Sequence, residues 1–224
     1  MTTPSDEQLL AEHVEGLPDR FELLVRRHSQ ELYRFLARFT GSGTLAEDIA
    51  QDAFLQVHLA ASSFDPSRRF KPWLFTIAAN KARDALRSRA RRPEVPLDAH
   101  VGSSDEESGQ TFRDFMVDNA ADPVGSLESG EEREQVRSVL NRMPEHYREV
   151  LVLSYFHQFP YKEIADILNV PLGTVKSRLH SAVAHFGRAY KIATGKRSTG
   201  EPEGPSTSRG LRVVPEPTDR QERA

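Results

Sequence analysis

Apolar side chains recur at helical spacing in two blocks of this chain, and this pattern constrains its fold more than any other feature. The first block runs from Phe21 to about Arg89 and the second from Leu127 to about Tyr190, with Asn, Gly, Ser and Pro at the breaks. The alternating pattern of strands is almost absent from the sequence. We therefore predict an all-α protein made of two small helical domains.

Segments without a helical pattern separate and flank these blocks. Residues 93–127 are rich in Pro, Ser, Gly, Asp and Glu, and the C-terminal 31 residues contain four Gly and four Pro. Such compositions predict a flexible acidic linker and a disordered tail. An apolar island at 112–117 interrupts the linker and has no assigned role. The predicted organisation is an N-terminal extension over 1–20, a first domain over 21–92, the linker over 93–127, a second domain over 128–192 and the tail over 193–224.

Charge is strongly segregated along the 224 residues, although the net charge is only −3. Residues 68–92 carry 9 Lys/Arg against 1 Asp/Glu, a net of +8, and residues 136–193 carry 8 against 4, a net of +4. Between them, residues 93–135 carry 2 against 12, a net of −10. Two basic blocks around an acidic one predict two contacts with a polyanion; the alternative is a solvated basic face.

Composition and motifs argue against several classes of function. The chain has no cysteine, which excludes a disulfide framework, a thiol nucleophile and cysteine-ligated zinc, and which fits a reducing cytoplasm. Its first residues do not resemble a signal peptide, and no apolar run approaches the roughly 18 residues of a membrane span. The eight histidines lack metal-ligand spacing, and "GSGTLAE" lacks the Lys-Ser/Thr end of a phosphate loop. We expect a cytoplasmic protein that is not an enzyme, with no cofactor, metal, small-molecule substrate or membrane insertion.

The stretch "YKEIADILNVPLGTVKSRLHSAVAHF" predicts two short helices joined by a tight turn. Val175, Leu179, Ala182, Val183 and Phe186 form the apolar stripe of the second helix, and the opposite arc is small and polar. Small side chains let such a helix enter the major groove of DNA, while basic flanks contact phosphates. The alternative is an ordinary helical hairpin with a polar outer face. The candidate duplex-binding residues are Thr174, Lys176, Ser177, Arg178, His180 and Ser181.

A second basic face lies on the helix predicted from Pro72 to about Arg91. Its outer side carries polar and basic residues at i, i+4, i+7 and i+11, just after a loop of mixed aromatic and basic residues. Amide groups bond base edges and aromatic rings stack on unpaired bases, so this face suits opened DNA. Phe70 and Trp73 have the alternative role of core residues. The candidates are Arg69, Lys71, Trp73, Thr76, Asn80, Arg83 and Arg87.

The helix that precedes this face has a different outer surface. "TLAE" predicts a capping box with Thr44 as N-cap and Glu47 three residues later, and the helix continues to about Ala61. Its outer side is acidic and amide-rich, which suits a protein partner better than DNA; the alternative is a solvated face. The candidate partner-binding residues are Asp48, Gln51, Asp52 and Gln56.

Three segments in this order resemble the bacterial RNA polymerase sigma factors of the sigma-70 family, in the short two-domain form of the extracytoplasmic-function (ECF) branch. They are "LAEDIAQDAFLQVH", "FKPWLFTIAANKARDALRSRARR" and "MPEHYREVLVLSYFHQFPYKEIADILNVPLGTVKSRLHSAV". The resemblance covers about residues 21–92 and 128–190. It implies that 21–92 is the second sigma region, which melts and reads the promoter −10 element. It also implies that 128–190 is the fourth sigma region, a helix-turn-helix that reads the −35 duplex and contacts the polymerase β-flap.

The resemblance also implies roles for individual residues and partners. The face with Asp48, Gln51 and Asp52 matches the surface that holds the β′ coiled coil of core RNA polymerase. Asn80 and the loop before it match the site that captures a flipped −10 base, and the −35 reading helix matches at Lys176, Ser177, Arg178 and Ser181. Promoter DNA and an anti-sigma factor are the further partners implied.

Two points qualify the resemblance. Many relatives have serine where this chain has Pro160. Proline can begin the following helix but cannot cap it through a side chain. The alternative interpretation is a free-standing helix-turn-helix regulator with an N-terminal interaction module. That alternative leaves the basic face of 72–92 and the acidic face at Asp48 and Asp52 without a use.

Overall fold

The computed structural model describes residues 3–91 and 130–194, and every regular element within these ranges is helical. The N-terminal domain contains α1 (Asp6–Val14), α2 (Pro18–Thr40), α3 (Gly43–Ala60), a 3₁₀ turn (Ala61–Ser63) and α4 (Phe70–Arg91). The C-terminal domain contains α5 (Gly130–Arg142), α6 (Glu145–Leu151), a π-helical turn (Val152–Phe156), α7 (Tyr161–Leu168) and α8 (Leu172–Ala193). The prediction of an all-α fold with two helical domains is confirmed. The predicted linker, with its island at 112–117, and the tail beyond residue 194 lie outside the described residues.

The junction between α2 and α3 shows how local sequence sets the helix ends. Gly41 ends α2 in the left-handed region (φ 74°), and its N–H bonds to the carbonyl of Ala37. Ser42 then caps α3, because its backbone is extended and its hydroxyl accepts a hydrogen bond from the Leu45 N–H at 3.4 Å. The prediction that Thr44 is the N-cap is therefore wrong. Thr44 already lies within the helix.

The helices of the N-terminal domain pack around a core of Leu, Phe and Ala side chains. α2 contributes Leu24, Leu32, Phe35, Leu36 and Phe39, and all five are fully buried. Helix α1, which lies within the predicted N-terminal extension, also packs against α2, with Leu9 and Leu10 buried. Burial of such side chains is the main favourable contribution to folding, about 1.5–3 kcal/mol for each large apolar group.

The two domains pack directly against each other and share one buried core. Helix α7 lies on α4, while α5 and the π-helical turn lie on α2. The Phe75 ring contacts those of Phe159 at 4.9 Å and His157 at 5.6 Å between centroids, and Phe75 is fully buried. The periodicity of α4 alone does not single out Phe75 as a core residue. Its side chain is buried because α4 has a second packing partner, the C-terminal domain.

A small polar network lies at this domain junction. The Glu31 carboxylate of α2 is 2.7 Å from the Lys71 ammonium group and accepts a hydrogen bond from His157 Nδ1 at 3.3 Å. Burial alone would raise the pKa of Glu31, but the hydrogen bonds from His157 and Lys71 and their charges outweigh burial and lower this pKa to about 2. Burial lowers the pKa of His157, even though Glu31 opposes this shift. Glu31 is therefore a charged link between the two domains.

Candidate nucleic-acid interface

Helices α7 and α8 form a helix-turn-helix whose turn depends on two residue types. Asn169 ends α7 in the left-handed region (φ 51°), a conformation that asparagine tolerates better than most residues. Pro171 precedes α8, and Pro160 precedes α7 without any side-chain cap, as its chemistry requires. Val175 and Leu179 bury the inner side of α8. The outer side is thereby directed away from the core.

The outer side of α8 carries the residues that the sequence predicts to contact duplex DNA. Three of them are exposed, Lys176, Ser177 and His180, and three are half-buried, Thr174, Arg178 and Ser181. The Ser177 hydroxyl donates to the Thr174 carbonyl at 3.1 Å. Val183 is 37% exposed, so its predicted place in the buried stripe is wrong. The result is a narrow surface of hydroxyl groups with basic side chains beside it.

Helix α4 presents the second predicted row. Asn80 and Arg87 are exposed, and Asn80 Oδ1 accepts a hydrogen bond from Arg83 Nη1 at 2.9 Å. Arg87 Nη1 lies 3.5 Å from Asp84 Oδ1, and the Thr76 hydroxyl donates to the Pro72 carbonyl of the same helix at 2.8 Å. The row therefore combines amide, hydroxyl and guanidinium groups along one side of the helix.

The first turn of α4 and the loop before it combine core and surface residues. Phe70 is fully buried, so its alternative role as a core residue is correct. Trp73 is half-buried and its rings contact Phe64 at 4.7 Å between centroids. Arg69 is exposed and forms an ion pair with Glu163 of α7. Lys71 bonds to Glu31, and its ammonium lies 5.1 Å from the ring centroid of Phe159.

One carboxylate of α6 joins the two predicted DNA surfaces. Glu149 Oε2 lies 3.0 Å from Arg83 Nε of α4, and Glu149 Oε1 lies 3.6 Å from Arg178 Nη1 of α8. The side chains of Glu149 and Arg83 are only 6% and 14% exposed. The sequence placed Arg83 on an outer face, and this is wrong in the described conformation because the C-terminal domain covers that part of α4. The sequence analysis did not single out Glu149 or Glu163; their only signal was that they are two of the four acidic residues in a basic block.

Helix α3 presents the predicted partner-binding surface. Asp48, Gln51, Asp52 and Gln56 are all exposed. Two leucines that the sequence analysis did not include lie on the same side of the helix, Leu55 at 57% exposed and Leu59 at 67%. We call these six residues the α3 surface. Two exposed leucines on this side of the helix offer apolar area that suits a protein partner, and the available signal was that Leu55 and Leu59 each follow a polar candidate, Asp52 or Gln56, by three residues.

Comparison with known proteins identifies the family of this chain. Residues 24–92 match the family described as Sigma-70 region 2, and residues 133–186 match Sigma-70, region 4. The ECF RNA polymerase sigma factor SigW of Bacillus subtilis is 35% identical over 165 residues, which cover 74% of this chain and 86% of SigW. The chain belongs to the sigma-70 family. The ECF RNA polymerase sigma-E factor of Escherichia coli is 31% identical over 183 residues, which cover 81% of this sigma-70 family chain and 93% of that protein.

Solved structures with a similar fold support the same assignment. CnrH in complex with the cytosolic domain of CnrY has a TM-score of 0.60 and 25% identity, covering 84% of this sigma-70 family chain and 99% of CnrH. RpoE of Bartonella quintana, in complex with the anti-sigma factor NepR, has a TM-score of 0.55 and 25% identity. The match covers 76% of this chain and 94% of RpoE. The resemblance to ECF sigma factors that the three sequence segments indicated is confirmed.

The described residues of this sigma-70 family protein contain neither a metal-binding cluster nor a membrane-spanning helix. Across 3–91 and 130–194, no group of three or more His, Asp or Glu side chains is placed to hold a metal ion. Over the same ranges, no helix combines the length and the apolar character needed to cross a membrane.

Proposed function

We propose that this sigma-70 family protein binds core RNA polymerase in the cytoplasm and directs promoter-specific transcription initiation. The observation that carries the proposal is the presence of three exposed surfaces with different chemistry on one chain. α8 offers hydroxyl groups with basic flanks, α4 offers an amide and guanidinium row, and α3 offers carboxylates with leucines. A free-standing DNA-binding regulator has no use for the α3 surface beside the α4 row.

The α8 surface is suited to the promoter −35 element as duplex DNA. Its small side chains let the helix lie deep in the major groove, where Ser177 and Ser181 meet donors or acceptors on base edges. Lys176 and Arg178 contact phosphates and set the register of the helix along the groove. These roles follow from side-chain chemistry and from the helix-turn-helix geometry.

The α4 row is suited to the −10 element once its strands have separated. The exposed amide of Asn80 bonds a base edge, and Arg87 and Arg69 neutralise nearby phosphates. Capture of an extruded base offsets an unstacking cost of a few kcal/mol, which favours strand opening. Trp73 has a partly exposed ring beside this row and contributes stacking.

The α3 surface provides the contact with polymerase, in which the β′ coiled coil is the proposed partner. Leu55 and Leu59 supply apolar area, while Asp48 and Asp52 select a basic partner by charge. The C-terminal domain contacts the β-flap in the same proposal. Both contacts hold the two DNA-reading helices at a distance that matches the spacing of two promoter elements.

Separation of the two domains is part of this mechanism. Arg83 and Arg69 contact Glu149 and Glu163 of the C-terminal domain, so DNA and these carboxylates compete for the same guanidinium groups. Core polymerase, by binding each domain separately, stabilises the open arrangement. Since RpoE of Bartonella quintana is similar and its solved complex contains the anti-sigma factor NepR, we also propose an anti-sigma factor as a regulator here.

The experiment that tests this function is run-off transcription with purified core polymerase on fragmented genomic DNA, with and without the protein. Discrete transcripts that require the protein are expected, and their aligned start sites reveal both promoter elements. A protein that binds duplex DNA on its own and has no affinity for core polymerase is instead a free-standing regulator, and that result rejects the proposal.

A further inference from the structure

Helix α1 lies before the residues that match Sigma-70 region 2, yet it contacts the start of the −10 reading helix. Its first turn carries two adjacent carboxylates. Asp6 bonds to Arg27 and to His28, whose Nε2 is 2.8 Å from Asp6 Oδ2. Glu7 Oε1 accepts a hydrogen bond from the backbone N–H of Phe70 at 2.8 Å. Glu7 thus contacts Phe70 directly, and Asp6 contacts His28, which packs against Phe70.

The first N–H groups of α4 need hydrogen-bond acceptors, and the residue just before the helix cannot supply one through its side chain. The first N–H groups of a helix have no partner within the helix, and a residue at the N-cap normally provides one. Arg69 occupies the position before Phe70, and a guanidinium group has donors only. Glu7, distant by 63 positions in the sequence, takes the place of this cap. Its negative charge also interacts favourably with the dipole at the helix N-terminus.

The side chain of Phe70 is held from the same helix. The His28 ring packs against the Phe70 ring with centroids 5.4 Å apart, and Asp6 fixes His28 through its hydrogen bond. His28 is 5% exposed and Phe70 is fully buried, so both rings are enclosed by the core. Residue Phe70 is therefore fixed at its backbone by Glu7 and at its ring by His28. The neighbours of Phe70 are the −10 candidates Arg69 and Lys71.

From this geometry we infer that Glu7 is a positioning residue for promoter opening, because it fixes the first turn of α4 and thereby the orientation of Arg69, Lys71 and Trp73. The inference rests on the proposed function and extends it to a helix outside the matched family region. It assigns α1 to the −10 reading unit of this protein.

The test compares Glu7→Ala, Glu7→Gln and the control Glu15→Ala, an exposed acidic position at the other end of α1. Full-length proteins are assembled with core polymerase on a promoter found by run-off transcription. Permanganate footprinting of the opened strand is expected to show about fivefold fewer open complexes with Glu7→Ala, the effect of losing one helix cap. Polymerase affinity and closed-complex affinity are expected to stay unchanged. Glu7→Gln is expected to restore most of the opening, because its amide oxygen still accepts from the Phe70 N–H.

Hydrogen exchange separates positioning from general stability. In Glu7→Ala, the amides of the first turn of α4 are expected to exchange about fivefold faster, whereas those of α3 keep their rates. Opening equal to that of the unmodified protein overturns the inference. Equal losses of opening and polymerase affinity, or a Glu7→Gln protein as defective as Glu7→Ala, overturn it as well. If the unmodified protein itself opens no promoter with core polymerase, the proposed function fails, which is a separate result.

Discussion

At the scale of single residues, Glu31 shows how one carboxylate links the two domains. It accepts hydrogen bonds from Lys71 of the N-terminal domain and from His157 of the C-terminal domain. Its pKa falls from the usual 4.5 to about 2 in the folded protein. A group whose pKa is lowered by folding stabilises the fold above its ordinary pKa, and that contribution is lost as the pH falls through the folded value.

The first prediction concerns Glu31→Gln. At pH 7 the variant is expected to lose about 1 kcal/mol of unfolding free energy, a modest amount because the Glu31 side chain is 34% exposed. As the pH falls from 4.5 towards 2, the unmodified protein loses this same contribution, so the two urea midpoints are expected to converge. Glu22→Gln, at an exposed pair with Arg26, serves as the control with little change at any pH. Midpoint curves that stay parallel down to pH 2 contradict the assignment.

Sequence periodicity was sufficient to predict exposed residues on helices, but it did not predict the partners of these residues. Asn80 and Lys176 lie where the helical spacing placed them. The contacts of Arg83 with Glu149 and of Phe75 with Phe159 join residues 66 and 84 positions apart. A single sequence carries no information on such pairs, because periodicity describes one helix at a time. The prediction of Thr44 as the cap failed for a related reason. The sequence fits the capping-box pattern at Thr44, but the hydroxyl that caps α3 belongs to Ser42, two residues earlier.

At the scale of elements, α3 differs from α4 and α8 in the chemistry of its exposed side. The latter two helices present guanidinium, ammonium, hydroxyl and amide groups, whereas the α3 surface combines carboxylates, amides and leucines. Polyanionic DNA repels carboxylates, so a protein is the better partner for this helix. The inner side of α3, by contrast, is apolar and buried, with Ile49, Ala53, Phe54 and Val57, as any helical bundle requires.

The second prediction concerns the reversal of one charge on α3. Asp52→Arg is expected to weaken binding to core polymerase roughly tenfold or more, because a charge selected to face a basic partner becomes repulsive. Asp52 is exposed, and its pair with Lys81, 3.9 Å between Oδ2 and Nζ, is a surface pair that contributes little, so the fold is expected to tolerate the change. Titration of labelled protein with core polymerase provides the measurement. Asp166→Arg, an exposed reversal on α7, is the matched control. Equal affinities of the two variants would falsify the role of the α3 surface.

At the scale of the whole molecule, the structure shows an arrangement in which α4 and α8, the two helices that we propose to bind DNA, are not independent. Glu149 contacts Arg83 of α4 and Arg178 of α8, and it is nearly inaccessible to solvent. Removing one partner from such a buried cluster leaves the others without compensation. We therefore expect this carboxylate to favour the packed arrangement of the two domains in the absence of polymerase and to oppose the proposed binding of DNA.

The last prediction follows from this competition. Glu149→Gln removes the charge but keeps the shape, so the packed arrangement is expected to lose roughly 2 kcal/mol and the population of separated domains to rise. Small-angle scattering of the free protein is expected to show a larger radius of gyration, and duplex −35 DNA is expected to bind several-fold more tightly. Glu163→Gln, whose partner Arg69 is largely exposed, is a milder second variant with a smaller effect in the same direction. Circular dichroism establishes that the helices are retained. A variant with retained helices, an unchanged radius and unchanged DNA affinity would mean that Glu149 holds the core together without restraining the DNA-binding surfaces.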